Sequence, residues 1–231
     1  GGVPLVFPWF GDHADRSLPA HGFARNRTWH AVTARARANL GPELVLALDD
    51  DKQSHAMLPQ PFRLELRIAL GGADGGALEL SLTVHNPGSA PLRCEQALHT
   101  YFAIGDLAAA RVHGLENVRY FEQAGAPGPA GDPSAPVEFR GEVDRIYQDV
   151  PDRIELHAPG LRRRVVLTTS GARSAIVWNP WQHKGERLSQ LAADDWRRFC
   201  CIESANVREH AVTVPPSGRH TLAVTIASAS D

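Results

Sequence analysis

The chain has 231 residues, of which 43% are hydrophobic and 22% charged, so it can bury a sizeable core and global disorder is excluded. Lys+Arg number 24 against Asp+Glu 26, a net charge of −2, which lacks the basic excess of a general nucleic-acid or anionic-membrane binder. No apolar stretch approaches the length of a membrane-spanning helix, and Cys94, Cys200 and Cys201 are too few and odd in number for a disulfide framework, so a reducing, cytoplasmic setting is expected. The sequence opens Gly1-Gly2-Val3-Pro4, and its lone Met is Met57. With no charged segment followed by an apolar one, the start is not a signal peptide but reads as the interior of a domain with residues upstream.

Gly 20 and Pro 17 make a turn-rich composition that suits short strands. In chain order, the first strand is expected at Glu43–Leu48. Phe62–Leu70 and Ala77–His85 alternate apolar and polar with period two and flank a Gly-rich turn at Gly71–Gly76, the pattern of a hairpin. After Asn86-Pro87-Gly88 an extended pattern resumes over Leu92–Ile104, and Ala124–Pro136 reads as a surface loop. Further strands are expected at Arg145–Gln148, Arg153–His157, Arg163–Thr169, Ser174–Trp178, Phe199–Ser204, Ala211–Val214 and His220–Ile226. Only Glu186–Asp195 offers a short helix. Many strands, few helices, no internal repeat and no linker predict a single all-β domain over residues 1–231, an antiparallel β-sandwich rather than βαβ units.

Two strands carry polar side chains in apolar surroundings. Alternation in Gln96–Phe102 puts Ala97, His99 and Tyr101 on one face and Leu98, Thr100 and Phe102 on the other. In Phe199–Ser204, Glu203 shares a face with Cys201 and Phe199. A carboxylate there is costly unless it is paired or lines a cavity. His99 and Glu203 lining one cavity would form an acid/base pair; the plainer alternative is a buried His and an edge-strand Glu with ordinary partners. Pro8-Trp9-Phe10-Gly11 and Trp178-Asn179-Pro180-Trp181 each join a loop signal to large aromatics, which suits stacking on a sugar ring as well as packing at loop ends. His21-Gly22-Phe23-Ala24-Arg25 sets an Arg beside a turn, where its fork could grip a phosphate or carboxylate or simply be solvated.

Other features point away from other chemistries. Arg162-Arg163-Arg164 reads as a solvated strand start without the aromatics of a single-strand platform. His13, His21 and His30 have no zinc-ligand spacing, and Cys200 and Cys201 point to opposite sides of one strand, so no metal site is expected. Gly71–Gly76 precedes a strand rather than a helix, so it is no phosphate loop, and no Gly-x-Ser-x-Gly elbow is present.

In their order along the chain, Gly1-Gly2-Val3-Pro4 through Pro8-Trp9-Phe10-Gly11, His21-Gly22-Phe23-Ala24-Arg25, His99-Thr100-Tyr101-Phe102, Val143-Asp144-Arg145-Ile146-Tyr147, Trp178-Asn179-Pro180-Trp181 and Cys201-Ile202-Glu203-Ser204-Ala205-Asn206 resemble the aldose 1-epimerase (galactose mutarotase-like) superfamily, and within it the glucose-6-phosphate 1-epimerase branch. The likeness runs over essentially the whole chain. It implies a large twisted β-sandwich with the sugar in a cleft on one sheet. It also implies His99 as general acid, Glu203 as general base, Arg25 as a phosphate contact, Asp144 as a sugar ligand or orienter of the acid, and His21, Trp178 and Asn179 as further substrate contacts. The implied reaction interconverts the α and β anomers of a hexose 6-phosphate with no cofactor or metal, in a monomer. His99 is expected protonated and Glu203 ionised, through mutual attraction. The branch carries an Arg just before Gly-Gly-x-Pro, so that residue and several N-terminal strands are expected upstream of Gly1, and some relatives have Gln where this chain has Ala20. A mutarotase of free aldohexoses and a non-catalytic carbohydrate-binding module on the same fold are the alternative readings.

Overall fold

A computed structural model describes residues 1–37, 41–71, 76–125 and 131–230. Among these residues the chain forms a nine-stranded sheet, a seven-stranded sheet and a two-stranded ribbon of Val212–Val214 with Leu92–Cys94, and every strand pair is antiparallel. This is the sandwich that the alternation predicts. No helix among the described residues is long and apolar enough to cross a membrane.

The nine-stranded sheet runs in the order Val137–Glu138, Arg111–His113, Arg153–Ala158, Arg163–Ser170, Arg219–Ser230, Ala77–His85, Arg63–Gly71, Gly41–Asp49 and His30–Arg37. The expected hairpin is present, with Arg63 opposite His85 and Gly71 opposite Ala77; positions 72–75 of its turn, like 126–130 of the expected Ala124–Pro136 loop, lie outside the described residues. Leu64, Leu82, Leu156, Leu167 and Leu222 are buried in the main core. Each such side chain stabilises the fold by roughly 1.5–3 kcal/mol relative to an exposed one. The outermost strand, His30–Arg37, was not expected from the sequence. It is largely exposed on both faces, so no one-sided apolar pattern marks it, and its arginines give the sheet a charged edge.

The seven-stranded sheet runs Leu5–Val6, Gln96–Leu98, Phe199–Asn206, Ser174–Asn179, Val143–Gln148 and Tyr120–Glu122, with Tyr101–Ala103 pairing further along Phe199–Asn206. Its inner face supplies Leu98, Val143, Tyr147, Val177, Cys200 and Ile202 to the main core. The opposite face carries a second, smaller apolar cluster of Val6, Ala97, Ile146, Ile176, Ala205 and Val207, flanked by Phe10, Phe121 and Trp178. A sheet buried on both sides reads as near-continuous apolar runs, which is why its strands show weaker alternation than the hairpin.

Two expectations need correction. Leu92–Ile104 is not one strand but three short ones, broken at Glu95 and at His99-Thr100, where the Thr100 amide turns back to donate to the Leu98 carbonyl at 2.9 Å. Glu186–Asp195 is not a helix. The α-helix lies earlier, over Trp181–Gly185, and the following segment runs in successive turns, with the amides of Leu188, Leu191 and Asp195 donating to the carbonyls of Gly185, Leu188 and Ala192. These tighter turns bring Trp196 against Trp181 at 4.8 Å and against Gly185, a packing that local periodicity does not encode.

Candidate active site

The register that pairs Leu98 with Ser204 and Tyr101 with Cys201 sets His99, in the break between those two short strands, opposite Glu203. Both side chains lie on the second face of the seven-stranded sheet, as alternation predicts. His99 Nε2 is 3.3 Å from Glu203 Oε1, with the two side chains 9% and 1% exposed. The His99 amide donates to the Pro4 carbonyl at 3.0 Å, which fixes the kink that aims the ring. The pair has unused capacity: His99 Nδ1 and Glu203 Oε2 are buried without a hydrogen-bond partner. Buried polar atoms of a folded protein are otherwise almost always satisfied, so this is where a ligand's hydroxyls would find partners.

Aromatic rings wall the pair. Tyr101 stacks on His99 with centroids 5.0 Å apart and planes 11° from parallel, and Trp178 meets His99 edge-on at 5.9 Å. Phe199 closes the group against Tyr101 and Trp178 at 5.3 and 5.8 Å. On the other side lies His21, 5.9 Å from the His99 ring and 4.8 Å from Phe10. His21 Nδ1 accepts from the Gly11 amide at 3.3 Å, so this ring carries its proton on Nε2. The turn that presents it requires glycine at position 22. There φ is +73°, and a Cβ would lie 2.0 Å from the Phe7 carbonyl oxygen.

Charge completes the site. Arg25 follows on the short 3₁₀ turn Ala24–Asn26, donates one Nη2 hydrogen to the Ala20 carbonyl at 2.7 Å and lies in electrostatic reach of Tyr101, Glu203, His21 and His99. Asp144 stands opposite Trp178, itself opposite Cys201, so these side chains form one row across the face beside Glu203. Lys184 Nζ bonds Glu142 Oε1 at 2.8 Å and Asp144 Oδ2 at 3.4 Å.

Burial dominates the titration of these groups. It pushes His99 down from 6.5 to about 3, with His21 and Arg25 adding to the effect, and it holds His21 at about 4. It raises the Glu203 carboxyl well above the ordinary value of 4.5, and the nearby Asp144 raises it further. Both shifts run against the charged forms that mutual attraction would favour, because burial disfavours the charged form of each group. Burial also raises the thiols, Cys94 and Cys200 to about 12, and leaves all three cysteines free and unreactive.

The fold brings together His99, Glu203, His21, Arg25, Asp144 and Trp178. Asn179 is corrected. Its side chain is fully buried and donates to the carbonyls of Trp196 and Phe199, both at 2.8 Å, while its oxygen accepts from the Trp181 amide. It pins the segment that follows Trp178 and does not face the cleft. Of the two aromatic stretches, Phe10 and Trp178 lie on the face that carries the pair, whereas Trp9 packs on Phe23 and Trp181 on Trp196. Three contributors were missed. Tyr101 was legible as sharing the His99 face, but Glu142 and Lys184 carry no local signal, because only strand register and the Trp181–Gly185 helix bring them to Asp144.

A two-sheet β-protein with a buried imidazole–carboxylate pair among aromatic rings on one sheet face is the class that fold and site define. The aldose 1-epimerase family model matches residues 1–227, and the chain belongs to that family. It is 30% identical over 220 residues to a Cenchrus ciliaris protein named "Putative glucose-6-phosphate 1-epimerase", covering 94% of this chain and 66% of that one. An Escherichia coli protein of the same name is 28% identical over 209 residues, covering 90% and 68%. The chain thus spans about two thirds of the length of these curated relatives. The crystal structure of a "putative mutarotase (YeaD)" from Salmonella typhimurium has a TM-score of 0.87 at 27% identity over 100% of this chain and 75% of that one.

Proposed function

We propose that this chain interconverts the α and β anomers of a hexose 6-phosphate by acid/base ring opening and closure. The observation that carries the reading is the buried contact of His99 with Glu203 at 3.3 Å, with one polar atom of each left without a partner. Support for a phosphorylated substrate comes from Arg25, whose charge is felt at Glu203 and to which a neutral sugar offers no anionic partner, and from the printed names of the relatives.

The pair needs one proton between its two groups. The reactive form carries that proton on His99, which the approach of an anionic substrate favours. Glu203 then accepts the proton of the anomeric O1 hydroxyl while His99 donates to the ring oxygen O5. The C1–O5 bond breaks and the electron pair of O1–H becomes the aldehyde C=O. Rotation about C1–C2 presents the other carbonyl face. On closure the new O5 hydroxyl returns its proton to His99, Glu203 returns its own to O1, and the opposite anomer forms. Trp178 and Tyr101 offer apolar faces to the ring, and His21 and Asp144 offer a donor and an acceptor to its hydroxyls.

Exchange spectroscopy on glucose 6-phosphate and on free glucose tests this. Exchange accelerated for the phosphate and not for the free sugar is expected. Acceleration of the free sugar alone would keep the reaction and remove Arg25 from the phosphate role. Acceleration of neither, by a folded protein, would contradict the catalytic reading in favour of a binding module.

A further inference from the structure

We infer that Lys184 is a positioning residue of this site: its ammonium holds Asp144 as a carboxylate beside Glu203, and through that charge sets the basicity of Glu203. The inference rests on the acid/base reading above.

Lys184 bridges two carboxylates from the short helix, and both are poor in water. Glu142 and Asp144 have side chains 10% and 20% exposed against 40% for Lys184, so the cation approaches from the solvent side and the carboxylates sit behind it. The helix is not free to move away, because Asn179 accepts the Trp181 amide at its start and Trp181 packs on Trp196. Two carboxylates share one ammonium, which leaves a net negative charge on the flank of Glu203.

The charged groups within electrostatic reach of Asp144 come from four elements. Lys184 comes from the helix, Glu142 from the residues just before the Asp144 strand, Glu122 from the neighbouring strand and Glu203 from beyond Trp178. The nearby Arg145 is spent on Glu122 at 3.0 Å. Burial, Glu142 and Glu122 all raise the Asp144 carboxyl above its ordinary value, and Lys184 opposes them. Without the ammonium, the Asp144 carboxyl would rise further above its ordinary value. Where Asp144 is protonated, Glu203 loses the neighbouring negative charge that raises it. A sugar hydroxyl then also meets a carboxylic acid in place of a carboxylate acceptor. A purely structural tie would need Lys184 to meet Glu142 alone, whereas the contact to Asp144 couples it to the cleft.

Removal of the cation therefore moves two titrations in opposite directions. In Lys184→Met the Asp144 midpoint rises, because an adjacent opposite charge is lost, and the Glu203 midpoint falls. The kcat/KM profile narrows from both sides. Lys184→Arg keeps the charge and the parent profile. Glu142→Gln gives the reverse sign, because the whole ammonium becomes available to Asp144 and its midpoint falls.

Carboxyl ¹³C NMR on the unliganded protein, with the Asp144 signal assigned through Asp144→Asn, reads the first half without substrate. A raised midpoint in Lys184→Met and a lowered one in Glu142→Gln support the inference, and an unchanged midpoint in both overturns it. The pH profile of anomer exchange reads the second half. Narrowing in Lys184→Met with a parent-like Lys184→Arg supports it, whereas a uniform loss at every pH with unchanged shape overturns it. Should the parent protein accelerate no anomer exchange, the functional reading falls, and the Asp144 titration alone decides the charge assignment.

Discussion

Two glutamates sit almost fully buried on strands of this molecule, and they are held in opposite ways. Glu43, on the nine-stranded sheet, is met by Arg35 at 2.6 Å and by Arg67 at 2.6 Å, with Arg67 passing on to Glu79 at 3.0 Å. Those hydrogen bonds hold its carboxyl below the usual range. Glu203, on the seven-stranded sheet, has one oxygen near His99 and the other without a partner, and burial drives its carboxyl well above that range. Both are nearly inaccessible to solvent, but Glu43 is covered by guanidinium groups whereas Glu203 lies deep among apolar neighbours, so depth and partnering together make the difference. A buried carboxylate bracketed by guanidinium groups is part of the architecture, whereas one left short of partners in a cleft stands ready for chemistry.

The largest effect that could break this comparison is loss of turnover. Glu203→Gln and His99→Asn are each expected to lower the rate of anomer exchange by about 10² to 10⁴, with circular dichroism and melting unchanged enough to show a folded protein. Near-normal exchange in either would return the pair to a structural role. Gly22→Ala is expected to weaken both stability and activity, since its Cβ would meet the Phe7 carbonyl at 2.0 Å and its φ of +73° is unfavourable for alanine. The left-handed conformation alone costs roughly 1–2 kcal/mol, readable as a lower denaturant midpoint.

Acid sharpens the comparison. In the unfolded chain His99 and His21 titrate near 6.5, and in the folded one at about 3 and about 4. Between pH 6.5 and 4 the unfolded state therefore binds more protons, and the folded protein loses stability as the pH falls through that window. Melting temperatures across pH 4–7 should show this slope, and His99→Asn should flatten it. The same shifts keep the pair from taking a second proton near 6.5, so kcat/KM should show no acid limb in the ordinary histidine range. The smallest effects concern Glu43. Glu43→Gln is expected to lower the melting temperature by leaving Arg35 and Arg67 without their shared carboxylate, while exchange per folded molecule stays at the parent level. Glu203→Gln should not lower the melting temperature at pH 7. A group whose folded pKa is raised is destabilising above its unfolded value, and Gln removes that cost.

Much of this was legible in the residues. The hairpin of Arg63–Gly71 with Ala77–His85 shows in its alternation because one face is core and the other is wet. His99 and Glu203 stood out because charge-bearing side chains in apolar strands need a reason. What was hidden belongs to tertiary placement. The His30–Arg37 edge has no buried face to impose a pattern, and the Glu186–Asp195 segment gives up helical hydrogen bonds to pack Trp196. Asn179 reads like a cleft residue beside Trp178, yet strand alternation turns it inward to bond two carbonyls. Lys184 is invisible until Glu142 and Asp144 are brought to it. Attraction between opposite charges can be read from residue types, whereas the desolvation that opposes it depends on burial.

The most direct measurement is anomer exchange on glucose 6-phosphate by the parent, Glu203→Gln and Glu43→Gln proteins side by side at neutral pH. The account predicts that Glu43→Gln exchanges the anomers at the parent rate and that Glu203→Gln loses nearly all of it while remaining folded. Parent-like exchange by Glu203→Gln, or a comparable loss in both variants, would contradict it.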